Sequence, residues 1–156
     1  MRDLCERLLV PVDSSGSSLA VGELAIQLAR RYGSELVFVF VVDVVVRELV
    51  ARMSRRPAAE VQRELEETAQ HTLNHLMRVS EREGVPARKV LRSGTIHAEV
   101  VAVAEAEATT LIVLGRPLQS ELRGLFLGRV LHQIVEDACC PVLVLKPGAG
   151  WREADE

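Results

Sequence analysis

Aromatic side chains are scarce in this chain: one tryptophan, one tyrosine and three phenylalanines among 156 residues. Almost half the residues are nevertheless apolar. A core must therefore be assembled from Val, Leu, Ile and Ala, and the length suits one domain able to bury it. Cysteine is sparse as well. Cys5, Cys139 and Cys140 are odd in number and lack CxxC spacing, which gives neither a disulfide framework nor a dithiol redox motif. Cys139 and Cys140 read as a reduced pair beside the last strand. No sign of charge dominates: the formal net charge is −3, with basic residues dispersed among acidic ones, so no nucleic-acid partner is expected. Long apolar runs are missing too. The longest, over 36–42, is far short of a bilayer span, so no membrane partner is expected. Arg2, Asp3, Glu6 and Arg7 put charges where a secretory apolar region would begin. The expectation is a soluble cytoplasmic protein.

Three motifs are absent as well: the GxxxxGK[ST] phosphate loop, the GxGxxG fingerprint and the GxSxG nucleophile elbow. What the chain does have is a repeated alternation of short apolar runs and helical spacing. RLLVPVD, over 7–13, is continuously apolar and ends on a carboxylate, as a strand buried on both faces would. The serine cluster over 14–18 supplies N-caps for a helix over 19–32, which Gly33 closes. A second buried strand follows over 36–42. Residues 44–56 are less regular: Val46, Leu49, Val50 and Met53 share a helical face flanked by arginines, and packing on the domain itself is the expectation for that face. Pro57 opens a long helix to about Glu83, with Val61, Leu65, Ala69, Thr72, Leu76 and Ser80 along its buried stripe. A weaker, Arg- and Lys-containing strand over 85–92 reads as a sheet edge. Helices over 97–107 and 127–138 and strands over 111–114 and 142–145 complete the pattern. Residues 1–147 form the expected domain, and 148–156 read as a frayed tail.

Strands that alternate with helical crossovers call for a parallel sheet covered on both faces. Ligands in such sheets bind beyond the carboxyl ends of the strands, where strand order reverses. The useful groups at those ends are Asp13 and Gly115. If their strands are neighbours, an acid faces a glycine loop across one crevice. Gly128 begins the following helical pattern, where free N–H groups would face an anion. Other constellations read more simply. His71 and His75, with Glu67 a turn earlier, share one helical flank and read as a solvated face rather than a metal site. His97 and His132 are lone histidines explained by capping or packing. No nucleophile–base pair is legible, so no enzymatic role is expected.

Several segments together resemble the universal stress protein family over nearly the whole chain. LLVPVDSS is similar to its opening strand and terminal Asp, and residues 36–43 to its second strand, with Phe40 in the place of a histidine. GTIHAEVVAVAEAE resembles its third helix, and CPVLVLK its closing strand. The resemblance implies a flavodoxin-like, Rossmann-like three-layer α/β sandwich, with a five-stranded parallel sheet of order 3-2-1-4-5. It also implies a homodimer made by pairing the C-terminal strands. Nucleotide-binding members carry Gly-x-x-Gly, nine residues, then Gly-Ser or Gly-Thr. Here Gly115 and Gly128 match the first and third glycines, while Leu118 and Arg129 stand in the places of the second glycine and the hydroxyl. Asp13 matches the acid near the ribose, Val41 the residue whose backbone meets the adenine, and Val130 the residue after the hydroxyl. Leu118 brings a branched side chain where backbone should approach oxygen atoms. Arg129 exchanges a short hydroxyl donor for a long cation.

Two readings follow. In the first, the chain is a non-enzymatic regulatory or stress-response homodimer that acts through an unidentified protein partner. Its nucleotide loop is degenerate, ATP binding is weak or absent, and it has no resident cofactor. In the second it is a switch that binds ATP or AMP, with Arg129 gripping phosphate alongside Arg116 and Arg123, and with slow ATP hydrolysis. The serines at 14, 15, 17 and 18 resemble phosphorylation sites of the family.

Overall fold

The computed structural model of the protein describes residues 3–115 and 123–146, with the backbone alone over 123–127. Five parallel strands run β1 (Arg7–Val12), β2 (Glu35–Asp43), β3 (Ala87–Gly94), β4 (Leu111–Gly115) and β5 (Val142–Leu145). Their order across the sheet is β3-β2-β1-β4-β5, so the order reverses at β1, between β2 and β4. The intervening helices are α1 (Gly16–Tyr32), α2 (Val44–Ser54), α3 (Ala58–Arg82), α4 (Ile96–Ala106) and α5 (Arg123–Asp137).

Continuous apolarity in β1, β2 and β4 has a direct structural consequence. Leu8, Val10 and Val12 point to one face with Phe38, Val113, Ala25 and Ile26 of α1 and Leu73 and Leu76 of α3. Leu9, Val37, Val39, Ile112 and Leu114 point to the other, against Val100 and Val103 of α4 and Ile134 of α5. Two apolar layers on one sheet make the three-layer sandwich, and alternate side chains of the same strand feed both. The edges fall to β3, which carries exposed Arg88, Lys89 and Arg92, and to β5.

Several boundaries differ from the sequence reading. Helix α1 starts at Gly16 rather than residue 19, because Ser15 caps it by accepting the Ser18 N–H. The third strand lies two residues later than expected. Val85 closes the turn out of α3, its N–H bonded to Ser80 O at 2.9 Å, and the β2–β3 ladder runs on to Asp43↔Gly94. In α3, Leu73 is fully buried while Leu65 is only half-buried.

The apolar face of 44–56 is the largest correction. Residues 44–54 do form a helix, capped by Asp43, whose Oδ1 accepts the Val45 N–H at 2.9 Å. That helix turns its polar side inward. Arg47 Nη1 donates to Gln62 Oε1 at 3.0 Å, and Arg56, just beyond the helix, pairs with Glu60 and Glu64 of α3. Only Ala51 of α2 is buried, and Val45, Val46, Leu49 and Met53 are exposed.

Candidate functional site

Strands β1 and β4 are neighbours, with Leu8↔Leu111 and Leu9↔Ile112 in register. Their carboxyl ends therefore bring Asp13 and Gly115 to the two sides of one crevice, as the topology rule anticipates. Asp13 is exposed there, one residue past buried Val12. Its Oδ1 accepts the Ser15 N–H at 2.7 Å, and its own N–H donates to Ser18 Oγ at 2.7 Å. Ser15 Oγ in turn accepts the Ser18 N–H at 3.2 Å and lies 3.2 Å from Ser17 Oγ. The serine cluster thus fixes the acid at the entry to α1, while Oδ2 has no hydrogen-bond partner among the described residues.

Gly115 has a packing reason of its own. A Cβ there would lie 2.6 Å from Val21 Cγ2 of α1, so only glycine lets α1 settle this closely on β4. Sequence reading assigned this glycine to ligand approach alone, and no sequence signal marks Val21 as its neighbour.

Val41 sits in the crevice wall through the register of β2. The β1–β2 ladder ends at Val12↔Phe40, whereas the β2–β3 ladder continues through Val41↔Arg92 to Asp43↔Gly94. The last three residues of β2 therefore have strand pairing on one edge only, and the edge toward β1 is open backbone. The Val41 side chain is half-buried and packs into the α4–α5 layer. Phe40 points to the opposite layer, buried with Val12.

Gly128 is not at a helix start. Helix α5 begins at Arg123, which makes Gly128 its sixth residue, past the first turn whose N–H groups lack intrahelical partners. Its N–H is spent inside the helix, a Cβ would meet nothing within 4 Å, and the position is exposed. The sequence reading took this glycine as a boundary. The flanking Arg, Leu and Phe residues instead carry the helix through it at a cost of about 1 kcal/mol relative to Ala. Arg129 is exposed, and Val130 is half-buried against the α4–α5 layer. Arg116 and Leu118 lie outside the described residues, as does the side chain of Arg123.

The remaining candidates separate from this crevice. His71 and Glu67 are exposed, and His75 Nε2 lies 3.8 Å from Glu23 Oε1 of α1. No group of three or more His, Cys, Asp or Glu residues is arranged to hold a metal among the described residues. Cys139 and Cys140 are free thiols, and burial, reinforced by neighbouring Cys139, pushes the Cys140 thiol up to about 11. A shallow groove of about 430 Å³ between Asn74 and Met77 of α3 and Val85 and Ala87 opens where β3 begins. That is the amino end of the sheet, so it is no part of the crevice.

Comparison with known proteins agrees with this architecture. The family model described as the universal stress protein family matches residues 5–146. Universal stress protein MJ0531 of Methanocaldococcus jannaschii is 29% identical over 144 residues, covering 92% of this chain and 84% of its own. The solved structure of MJ0577 from the same organism superimposes with a TM-score of 0.74 at 22% identity, covering 98% of this chain and all of that one. A universal stress protein of Archaeoglobus fulgidus in complex with dAMP superimposes with a TM-score of 0.64 at 19% identity, covering 91% of this chain and 98% of that one. No described helix is long and apolar enough to cross a membrane.

Proposed function

The chain belongs to the universal stress protein family, and on that premise we propose that it is a non-enzymatic regulatory module of the stress response. It acts as a cytoplasmic homodimer whose adenine-nucleotide binding is weak or absent. The observation that carries this reading is the division of the crevice into two unlike halves. On the base and ribose side, Asp13 keeps Oδ2 free of donors among the described residues, and β2 offers an unpaired backbone edge from Val41 onward. On the phosphate side, Gly128 lies within α5 with its N–H committed to the helix, and Arg129 replaces the hydroxyl of nucleotide-binding members. A helix interior has no free N–H groups to offer an anion, and a long exposed cation holds phosphate without the fixed geometry of a short donor.

Two further observations support the rest of the reading. The crevice serines hydrogen-bond to each other and to Asp13 rather than to a histidine, so no activated nucleophile stands there among the described residues. At the sheet edge, β5 exposes Leu143 at 36% and Val144 at 41%. An apolar edge strand of this kind is suited to pairing with its copy.

The Archaeoglobus relative is a complex with dAMP, so a mononucleotide is the ligand to offer first. Calorimetric titration of AMP and ATP into native protein and Arg129→Ser tests the phosphate half. The expected outcome is a gain of binding by Arg129→Ser. Tight binding by native protein that Arg129→Ala abolishes would instead make Arg129 the phosphate ligand of a nucleotide switch.

A further inference from the structure

Helix α2 carries an apolar face that the domain itself leaves uncovered. Val45 is 70% exposed, Val46 44%, Leu49 55% and Met53 79%. These four side chains lie on adjoining rows of the helix and present apolar surface of order 300 Å². Arginines flank the face. Arg47 is paired with Glu48, and Arg56 with Glu60 and Glu64. Arg52 and Arg55 are exposed and have no ion-pair partner among the described residues. An occupant suited to this face brings an apolar anchor together with carboxylates.

A second copy of the same helix fits poorly. It would set arginine against arginine and bury well under the roughly 800 Å² per partner of a stable interface. The β5 edge is at the other side of the sheet, so the patch is not an extension of the homodimer surface either.

The chain supplies a better match in residues 147–156, which lie outside the described residues. They read PGAGWREADE: Trp151, the only tryptophan, is followed by Glu153, Asp155 and Glu156 against a single Arg152. Reach is adequate. Strand β5 ends at Leu145 on the carboxyl side of the sheet, the same side from which α2 leaves β2. Through the registers of β4 and β1, Leu145 stands level with Phe40, so the end of β2 at Asp43 lies three strand spacings across and three residues along, about 17 Å away. The six residues from Leu145 to Trp151 span up to about 20 Å when extended. We propose that residues 147–156 dock on α2, with Trp151 against the Val45–Leu49 face and the carboxylates toward Arg52 and Arg55.

Because Trp151 is the only tryptophan, its fluorescence reports docking directly. In the full chain its emission should be blue-shifted and protected from acrylamide. Leu49→Asp and Met53→Asp, both at exposed positions that tolerate change, should raise the acrylamide quenching constant by about twofold as the indole returns to water. Arg52→Glu should do so in part, and high salt should mimic it. Val135→Asp, on the opposite edge, should leave it unchanged. Native quenching already equal to that of a free tryptophan amide, or indifferent to Leu49→Asp, would overturn the proposal. So would sensitivity to Val135→Asp in place of Leu49→Asp, which would seat the segment on the β5 edge, or protection that vanishes on dilution, which would assign the face to a second copy.

Discussion

At position 115 an added methyl group would lie 2.6 Å from Val21 Cγ2, whereas at position 128 it would meet nothing within 4 Å. Gly115→Ala should therefore destabilise the protein by about 1–3 kcal/mol in urea unfolding, since α1 or Val21 must move. Adding Val21→Ala should recover part of that loss. Gly128→Ala should stabilise by up to about 1 kcal/mol, as a glycine replaced in an exposed helix interior does. Equal effects at the two sites would refute the packing assignment. Both glycines looked alike in the sequence, because a loop spacing says nothing about which helix will press on a given Cα. Asp13 was legible as a strand-end acid, which follows from local chain order, whereas its acceptance of the Ser15 N–H depends on how the serine turn folds. At Cys140, burial raises the thiol from 9.0 to about 11. The folded state thus holds its proton longer than the unfolded one. That contribution to stability is complete below pH 9 and lost as pH climbs through 11. Alkylation of Cys140 at mildly alkaline pH should be slow in the folded protein and fast in urea, read by mass spectrometry. Equal rates would contradict the burial.

Elements were most legible where the chain is buried on both sides. β1, β2 and β4 are runs of apolar residues with no polar alternation, and they appear within a residue or two of their expected places. Helix α5 was misplaced at its start because glycine was weighed as a boundary, when helix propensity on either side outweighs a single glycine. The burial of α2 was misjudged for a different reason. Its apolar side is the more hydrophobic one, but α3 offers Gln62, Glu60 and Glu64 to its arginines, and that partner surface cannot be seen from α2 alone. The Arg56 contact lowers the Glu64 carboxyl below its ordinary 4.5, chiefly through the hydrogen bond. Its contribution is therefore present above that value and lost as pH falls through the lower folded one. Glu64 is exposed and Arg56 only half-buried, so Arg56→Ala should reduce stability slightly at neutral pH, with the deficit shrinking as acid protonates Glu64. A deficit persisting at low pH would mean that the arginine packs rather than pairs. Between α4 and β4, Ala108 holds φ 52, a left-handed conformation that glycine adopts without strain. Ala108→Gly should raise the melting temperature, by up to about 1 kcal/mol of stability. A fall would show the turn to be unstrained.

For the whole molecule, the alternation of strands and helices dictates a parallel sheet with two helical layers, but not the order of its strands. The order β3-β2-β1-β4-β5 was legible only through the resemblance to universal stress proteins, since every crossover here is long enough for several arrangements. Strand order in turn builds the candidate site, because it sets Asp13 beside Gly115 and leaves the end of β2 unpaired on its β1 side. It also leaves β5 as an apolar edge, and sedimentation should find a dimer that Leu143→Lys with Val144→Glu converts to monomer. A native monomer at all concentrations would remove the homodimer from this account. The central claim is that the base and ribose half of the crevice persists while the phosphate half does not. Titrating stripped native protein with adenosine, AMP and ATP in parallel tests this most directly. The account predicts that added phosphates gain nothing, with all three ligands weak and within about threefold of one another. ATP or AMP binding tenfold or more tighter than adenosine, about 1.4 kcal/mol, would contradict it by placing a working phosphate site beside Gly115.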